Sequence, residues 1–172
     1  MTHQKPSTTI FADASGYPKQ KVAGFGCWVI SDDKRPEIHS GKLSWSPNSN
    51  ELELFALFNA LEFAFDKGFI TPETKAISLQ SDSLGALNVL ARISNTYAAK
   101  VRDPKDAVIR PSSRPLGPYV AFASLLSNFE IVYLKHVKGH SSGSGRNTVN
   151  ERCDKAAKQA ARAQFRIGES RG

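Results

Sequence analysis

Sulfur is scarce in this chain: two of its 172 residues are cysteine and one is methionine. Cys27 and Cys153 form no CxxC pair and suggest no disulfide framework, so both thiols are expected to be free. Long apolar runs are missing as well. None approaches the roughly 20 residues that cross a bilayer, and the opening MTHQKPSTT holds no apolar core of the kind that directs secretion. A soluble, cytoplasmic protein is expected. There are no internal repeats, and only SSGSG resembles low complexity. Acidic residues are in deficit: 16 Asp and Glu face 23 Lys and Arg, for a formal net charge of +7. The excess is concentrated, with nine basic against three acidic residues from Lys135 to Gly172. Such a balance suits a polyanionic partner, although solubility alone would also account for it.

The rest of the composition is ordinary for a globular protein, 40% hydrophobic and 23% charged, and the length allows a sizeable core. One domain is expected over residues 1–172, with a core from about 8 to 165 and a tail at 166–172. STTIFAD and GFGCWVI read as strands joined through the turn-forming GYPKQKVAG, and residues 37–45 as a third, which together suggest an antiparallel meander. A helix follows from about Ser49 to Lys67, stopped by Gly68. KAISLQSD is a fourth strand and SLGALNVLARI opens a second helix. Residues 95–118, rich in proline, serine and basic side chains, read as an irregular insertion. YVAFASLLSNF is a further helix, EIVYLKHV a fifth strand and NERCDKAAKQAARAQF a closing helix. Strands first, then strand–helix alternation, argue for an α/β fold with a mixed sheet flanked by helices.

Within SNELELFALFNALEFAF, Leu54, Leu57, Phe58, Leu61 and Phe65 recur at helical spacing. At about 100° per residue, Glu51, Asn59, Glu62 and Asp66 share the polar face, whereas Glu53 lies roughly 200° from Glu51, among the apolar side chains. Three other acids sit oddly. Asp13 ends the first strand and Asp82 the fourth, at the strand termini where open α/β sheets build sites. Asp154 is expected in the first turn of the last helix, where the dipole favours an anion. Each has a bland reading: a turn residue for Asp13 and Asp82, a helix-start residue for Asp154, a buried ion pair for Glu53. The combination is harder to dismiss. Two carboxylates 4 Å apart repel by about 4 kcal/mol at an effective dielectric near 20. A cluster of four therefore needs protons or divalent cations, and Mg²⁺ suits carboxylate oxygens while keeping waters for a substrate phosphate.

The ordered motifs FADAS, SNELEL, LQSDS, KGHSS and NERCDKAA resemble the ribonuclease H family, type 1, across roughly residues 8 to 163. The resemblance implies a five-stranded mixed sheet of order 3-2-1-4-5 with helices on both faces. It also implies endonucleolytic hydrolysis of the RNA strand in RNA–DNA hybrids, using two Mg²⁺ ions with Mn²⁺ as a substitute, and leaving 5′-phosphate and 3′-hydroxyl ends. Asp13 matches the aspartate that bridges both metals, Glu53 and Asp82 the pair completing one of them, and Asp154 the last aspartate on the other. His140 matches a mobile histidine assisting proton transfer or product release, and Glu151 is a candidate auxiliary acid. His136 lies on a strand rather than a helix, which argues against a paired-histidine zinc site.

Family members read RNA 2′-hydroxyls through the segment before the catalytic glutamate and the stretch after the first aspartate. Here those positions hold Ser49, Asn50 and Ser15, while Asn48 sits near the family's DNA-phosphate pocket. Leu84 stands where many members have glutamine, and Ala14 where glycine is usual. In the 95–118 insertion, Lys100 and Arg102 are candidate phosphate contacts; no tryptophan accompanies them. Two alternatives stand beside the hybrid nuclease: another nuclease on the same fold, and a non-catalytic nucleic-acid-binding module. Ser15, where an exonuclease of the DEDD type would want glutamate, weighs against the first. The complete carboxylate set weighs against the second. A monomer is expected.

Overall fold

A computed structural model describes residues 4–93, 106–109, 120–137 and 148–169, and the following concerns those residues. Three strands open the chain, β1 (Thr8–Tyr17), β2 (Val22–Ser31) and β3 (Glu37–Leu43). They form an antiparallel meander whose first turn holds Lys21 at φ 53°. Then come α1 (Ser49–Asp66), β4 (Ala76–Ser81), α2 (Leu84–Ile93), β5 (Asp106–Ile109), α3 (Val120–Leu126), β6 (Ile131–His136) and α4 (Thr148–Glu169). The sheet order is β3-β2-β1-β4-β6-β5. Its first five strands are the expected mixed sheet, with β4 parallel to both β1 and β6. The sixth is an addition. Residues 106–109 fall inside the segment read as irregular, yet they pair antiparallel with β6 along its outer edge.

Local chemistry explains where α1 starts and stops. Asn48 caps it, its Oδ1 accepting from the backbone N–H of Asn50 at 2.9 Å and of Glu51 at 3.3 Å. At the other end Gly68 takes φ +77°. The Phe69 N–H reaches back to the Ala64 carbonyl at 2.9 Å and the Gly68 N–H to that of Phe65 at 3.2 Å. This is a Schellman ending, which needs a left-handed residue and therefore favours glycine. Phe69, the next residue, packs its ring 6.2 Å from that of Phe63.

Helices cover both faces. Against one face lies α1, burying Leu54, Leu57, Ala60, Leu61 and Ala64. On the other, α4 crosses β2 at very short range. A Cβ on Gly26 would lie 2.2 Å from the Cys153 carbonyl oxygen, and one on Gly24 2.6 Å from backbone atoms of Ala157 and Ala161. Two glycines in β2 and small residues along α4 together permit this approach. Both cysteines are free and buried, and burial pushes each thiol up to about 12, so neither is a ready nucleophile. Among the described residues no helix is long and apolar enough to cross a membrane.

Candidate metal centre

The central strand outruns its parallel neighbour. Pairing of β1 with β4 covers only Thr8–Phe11 against Ile77–Gln80, whereas β1 continues to Tyr17 beside β2. Asp13 therefore lies in mid-strand and not at the strand's end as the sequence suggested. What ends there is the partner. Carried two residues further, the same register sets Asp82, the residue after β4, level with Asp13.

Three carboxylates converge in this gap. One ligand oxygen each from Asp13, Glu53 and Asp82 lies within 4.8 Å of the others. Asp13 is opposite Gly26 in the β1–β2 ladder, so its side chain leaves the sheet on the face that α4 covers. Glu53 arrives from α1 on the opposite face. Groups from both faces can meet because, among the described residues, no strand pairs with β1 on its β4 side beyond Phe11. The nearby Ala14 backbone N–H favours the charged form of both Asp13 and Glu53, opposing in part the effects that raise them.

The electrostatics are those of repelling acids out of water. Burial first, then the charges of Asp82 and Asp154, push Asp13 up to about 7. For Glu53, burial first, then Asp13 and Asp82, push the carboxyl to about 9. The two carboxyls also act directly on each other, an interaction that lowers Asp13 and raises Glu53. Glu53 Oε2 is buried with no hydrogen-bond partner among the described residues. An orphaned carboxylate oxygen inside a hard-oxygen donor set is what a small divalent cation would satisfy.

Asp154 stands slightly apart. Because α4 begins at Thr148, two residues before the expected start, Asp154 falls in the second turn and not the first. The dipole rationale fades there; the first-turn acid is Glu151, which is exposed. Asp154 makes an ion pair with Lys158 at 2.9 Å, while its charge still reaches Asp13. The close crossing over Gly26 accounts for that reach, since Cys153 packs on the position opposite Asp13.

Asn48 is exposed and engaged as the α1 cap; Ser49 is the exposed first residue of α1; Ser15 is half-buried in β1. Asn50 Oδ1 accepts from the Ser83 hydroxyl at 3.1 Å. Ser83 in turn caps α2, its Oγ accepting from the Ala86 N–H at 3.1 Å. Leu84 is exposed at the start of α2. His140, Lys100 and Arg102 lie outside the described residues.

Two contributors escaped sequence reasoning. Gly85 permits the side chain of Asn50 to lie against α2, since a Cβ would sit 2.5 Å from its Nδ2. His136, the last residue of β6, places Nε2 3.0 Å from the Asp82 backbone carbonyl oxygen. A parallel pairing of the fourth and fifth predicted strands, ending together, was the available signal for His136. Nothing in the sequence marked Gly85.

The family model described as RNase H matches residues 5–162. No curated protein matches the chain. Among solved structures, ribonuclease H1 from the halophilic archaeon Halobacterium salinarum is similar at a TM-score of 0.53 and 21% identity, covering 89% of this chain and 96% of that one.

Proposed function

Because the chain belongs to the ribonuclease H family, we propose that it is an endoribonuclease cutting the RNA strand of RNA–DNA hybrids with two Mg²⁺ ions, leaving 5′-phosphate and 3′-hydroxyl ends. The observation that carries this reading is the mutually repelling trio of a buried Asp13 and half-buried Glu53 and Asp82, with one Glu53 oxygen unpartnered among the described residues. Divalent ions held there would supply a polarised water and neutralise charge on the leaving oxygen. Asp13 is the residue electrostatically linked to all three other acids, which suits it to be shared between two ions. Glu53 and Asp82 would complete the ligand set of one ion, and Asp154 that of the other once drawn from Lys158. Protons that burial and repulsion hold on these carboxyls would leave as cation binds, since ligand oxygens must be deprotonated.

Around this centre, Ser15, Ser49 and Asn50 are the proposed contacts to RNA 2′-hydroxyls, and Asn48 to a DNA phosphate. Lys100 and Arg102 are proposed to grip phosphates further out, and His140 to assist the proton transfer or product release. Asn50 supports the reading best. Its bond to Ser83 fixes it beside Asp82, at the rim of the carboxylate cluster. The proposed protein acts alone, as a monomer, in the cytoplasm.

A hybrid labelled separately on each strand tests the proposal. With Mg²⁺, and with Mn²⁺ in its place, the RNA strand is cut internally and the DNA strand survives; EDTA stops the reaction. Duplex DNA is untouched and duplex RNA is cut weakly. Equal cutting of all three duplexes, or cutting that persists in EDTA, would overturn the reading.

A further inference from the structure

We infer that His136 is a positioning residue for Asp82, and that through this backbone tie it sets the affinity of the carboxylate cluster for divalent metal. The inference rests on the metal-site reading above. The ladder between β4 and β6 ends with Ser81 opposite His136, and its last bond runs from the Val137 N–H to the Ser81 carbonyl at 2.9 Å. Asp82 lies one residue past that bond, where the sheet no longer holds the chain. His136 supplies the missing support from its side chain. Its Nε2 is 3.0 Å from the Asp82 carbonyl oxygen, and a carbonyl only accepts, so Nε2 carries the proton and donates it.

The other side of the same peptide is also tethered. The Ser83 N–H donates to Ser81 Oγ at 3.1 Å, and the Ser83 hydroxyl donates to Asn50 Oδ1 at 3.1 Å. Asp82 thus lies between two hydroxyl-bearing neighbours, Ser81 at the end of β4 and Ser83 at the start of α2, with one imidazole on the β6 side. Of these tethers, the imidazole is the one that holds the Asp82 carbonyl and the one that comes from β6. A carboxylate borne on a fixed peptide loses little freedom when it binds a cation, so the tie favours binding without touching the metal. Partners of this indirect kind are typically worth about 10–100-fold in metal affinity or activity. A backbone tether should fall at the low end of that range.

The test uses the full chain with three substitutions that separate packing from donation. His136→Phe keeps a ring and loses the donor. His136→Asn places an amide near Nδ1, too short to reach, whereas His136→Gln places one near Nε2. Mn²⁺ affinity is read from the electron paramagnetic resonance signal of the free ion, with Asp13→Asn as the site-dead control and circular dichroism as the fold control. Expected is a loss of roughly ten-fold for Phe and Asn, with Gln within about two-fold of the wild type. The Mg²⁺ concentration for half-maximal hybrid cleavage should shift in parallel, and the rate at saturating Mg²⁺ should change less. Wild-type affinity in both His136→Phe and His136→Asn overturns the inference, as does a Gln variant that folds but binds as weakly as Asn. Wild-type protein showing no Mn²⁺ binding beyond the Asp13→Asn control instead overturns the metal-site reading, and this inference with it.

Discussion

Ionising Asp13 and Glu53 works against the metal-free fold. Both carboxyls are raised in the folded chain, by burial first and by neighbouring acids second. The unfolded chain releases these protons near the ordinary carboxylate value of about 4, whereas the native state holds them until about 7 and about 9. Between those limits the native state binds more protons, so stability is fully present below about pH 4 and is lost as pH rises toward 9. Asp13→Asn removes one charge from the cluster. At pH 9 in EDTA it should be more stable than the wild type by roughly 1–3 kcal/mol, with the difference vanishing near pH 4, as read from chemical denaturation. Its cleavage rate should fall by a thousand-fold or more while hybrid binding persists. A wild-type stability profile matching that of Asp13→Asn at every pH would contradict the assigned repulsion. Glu53 was legible in the sequence because a single helix angle separates it from the polar face of α1. His136 was not, because its role depends on which strand ends beside Asp82.

At the scale of elements, the crossing of α4 over β2 determines whether Asp154 can take part. Gly26 faces the Cys153 carbonyl at a range no side chain could share, and it pairs with Asp13 across the ladder. Gly26→Ala must therefore push α4 outward by its backbone. The expected cost is about 2–3 kcal/mol or more in unfolding free energy, with cleavage falling beyond what lost stability explains. Wild-type unfolding midpoints and rates would show that α4 can yield. Alternating apolar patterns, the glycine stop of α1 and the strand–helix rhythm made five strands and four helices readable, because each depends on local periodicity or a cap. Element ends were less readable. The apolar run TIFA stops at Asp13 and suggests a strand terminus there, but the antiparallel partner carries β1 on to Tyr17. NERCD reads as a helix start and puts Asp154 in a first turn, but Thr148 and Val149 already belong to α4. The edge strand β5 is four residues within a proline- and base-rich stretch, and tertiary pairing with β6 overrides that composition.

Taken whole, the molecule sets a small acidic centre within a chain of net charge +7. Under the proposed function the two signs would serve different partners: cations at the cluster, phosphates on the surrounding surface. Binding of hybrid by Asp13→Asn should then weaken steeply with salt, with a logarithmic slope of about −3 to −5 for some four or five neutralised phosphates. A slope near zero in a fluorescence anisotropy titration would remove the surface charge from the account. The short reach of β4 carries a last consequence. A sheet normally gains by zipping its strands to equal length, and two further paired residues after Ser81 would bury the open flank of β1 in hydrogen bonds. They would also wall off the window through which a side chain from α1 meets one directed toward α4. The vacancy in the ladder is the doorway of the centre, and lengthening β4 into a tidier sheet would shut it.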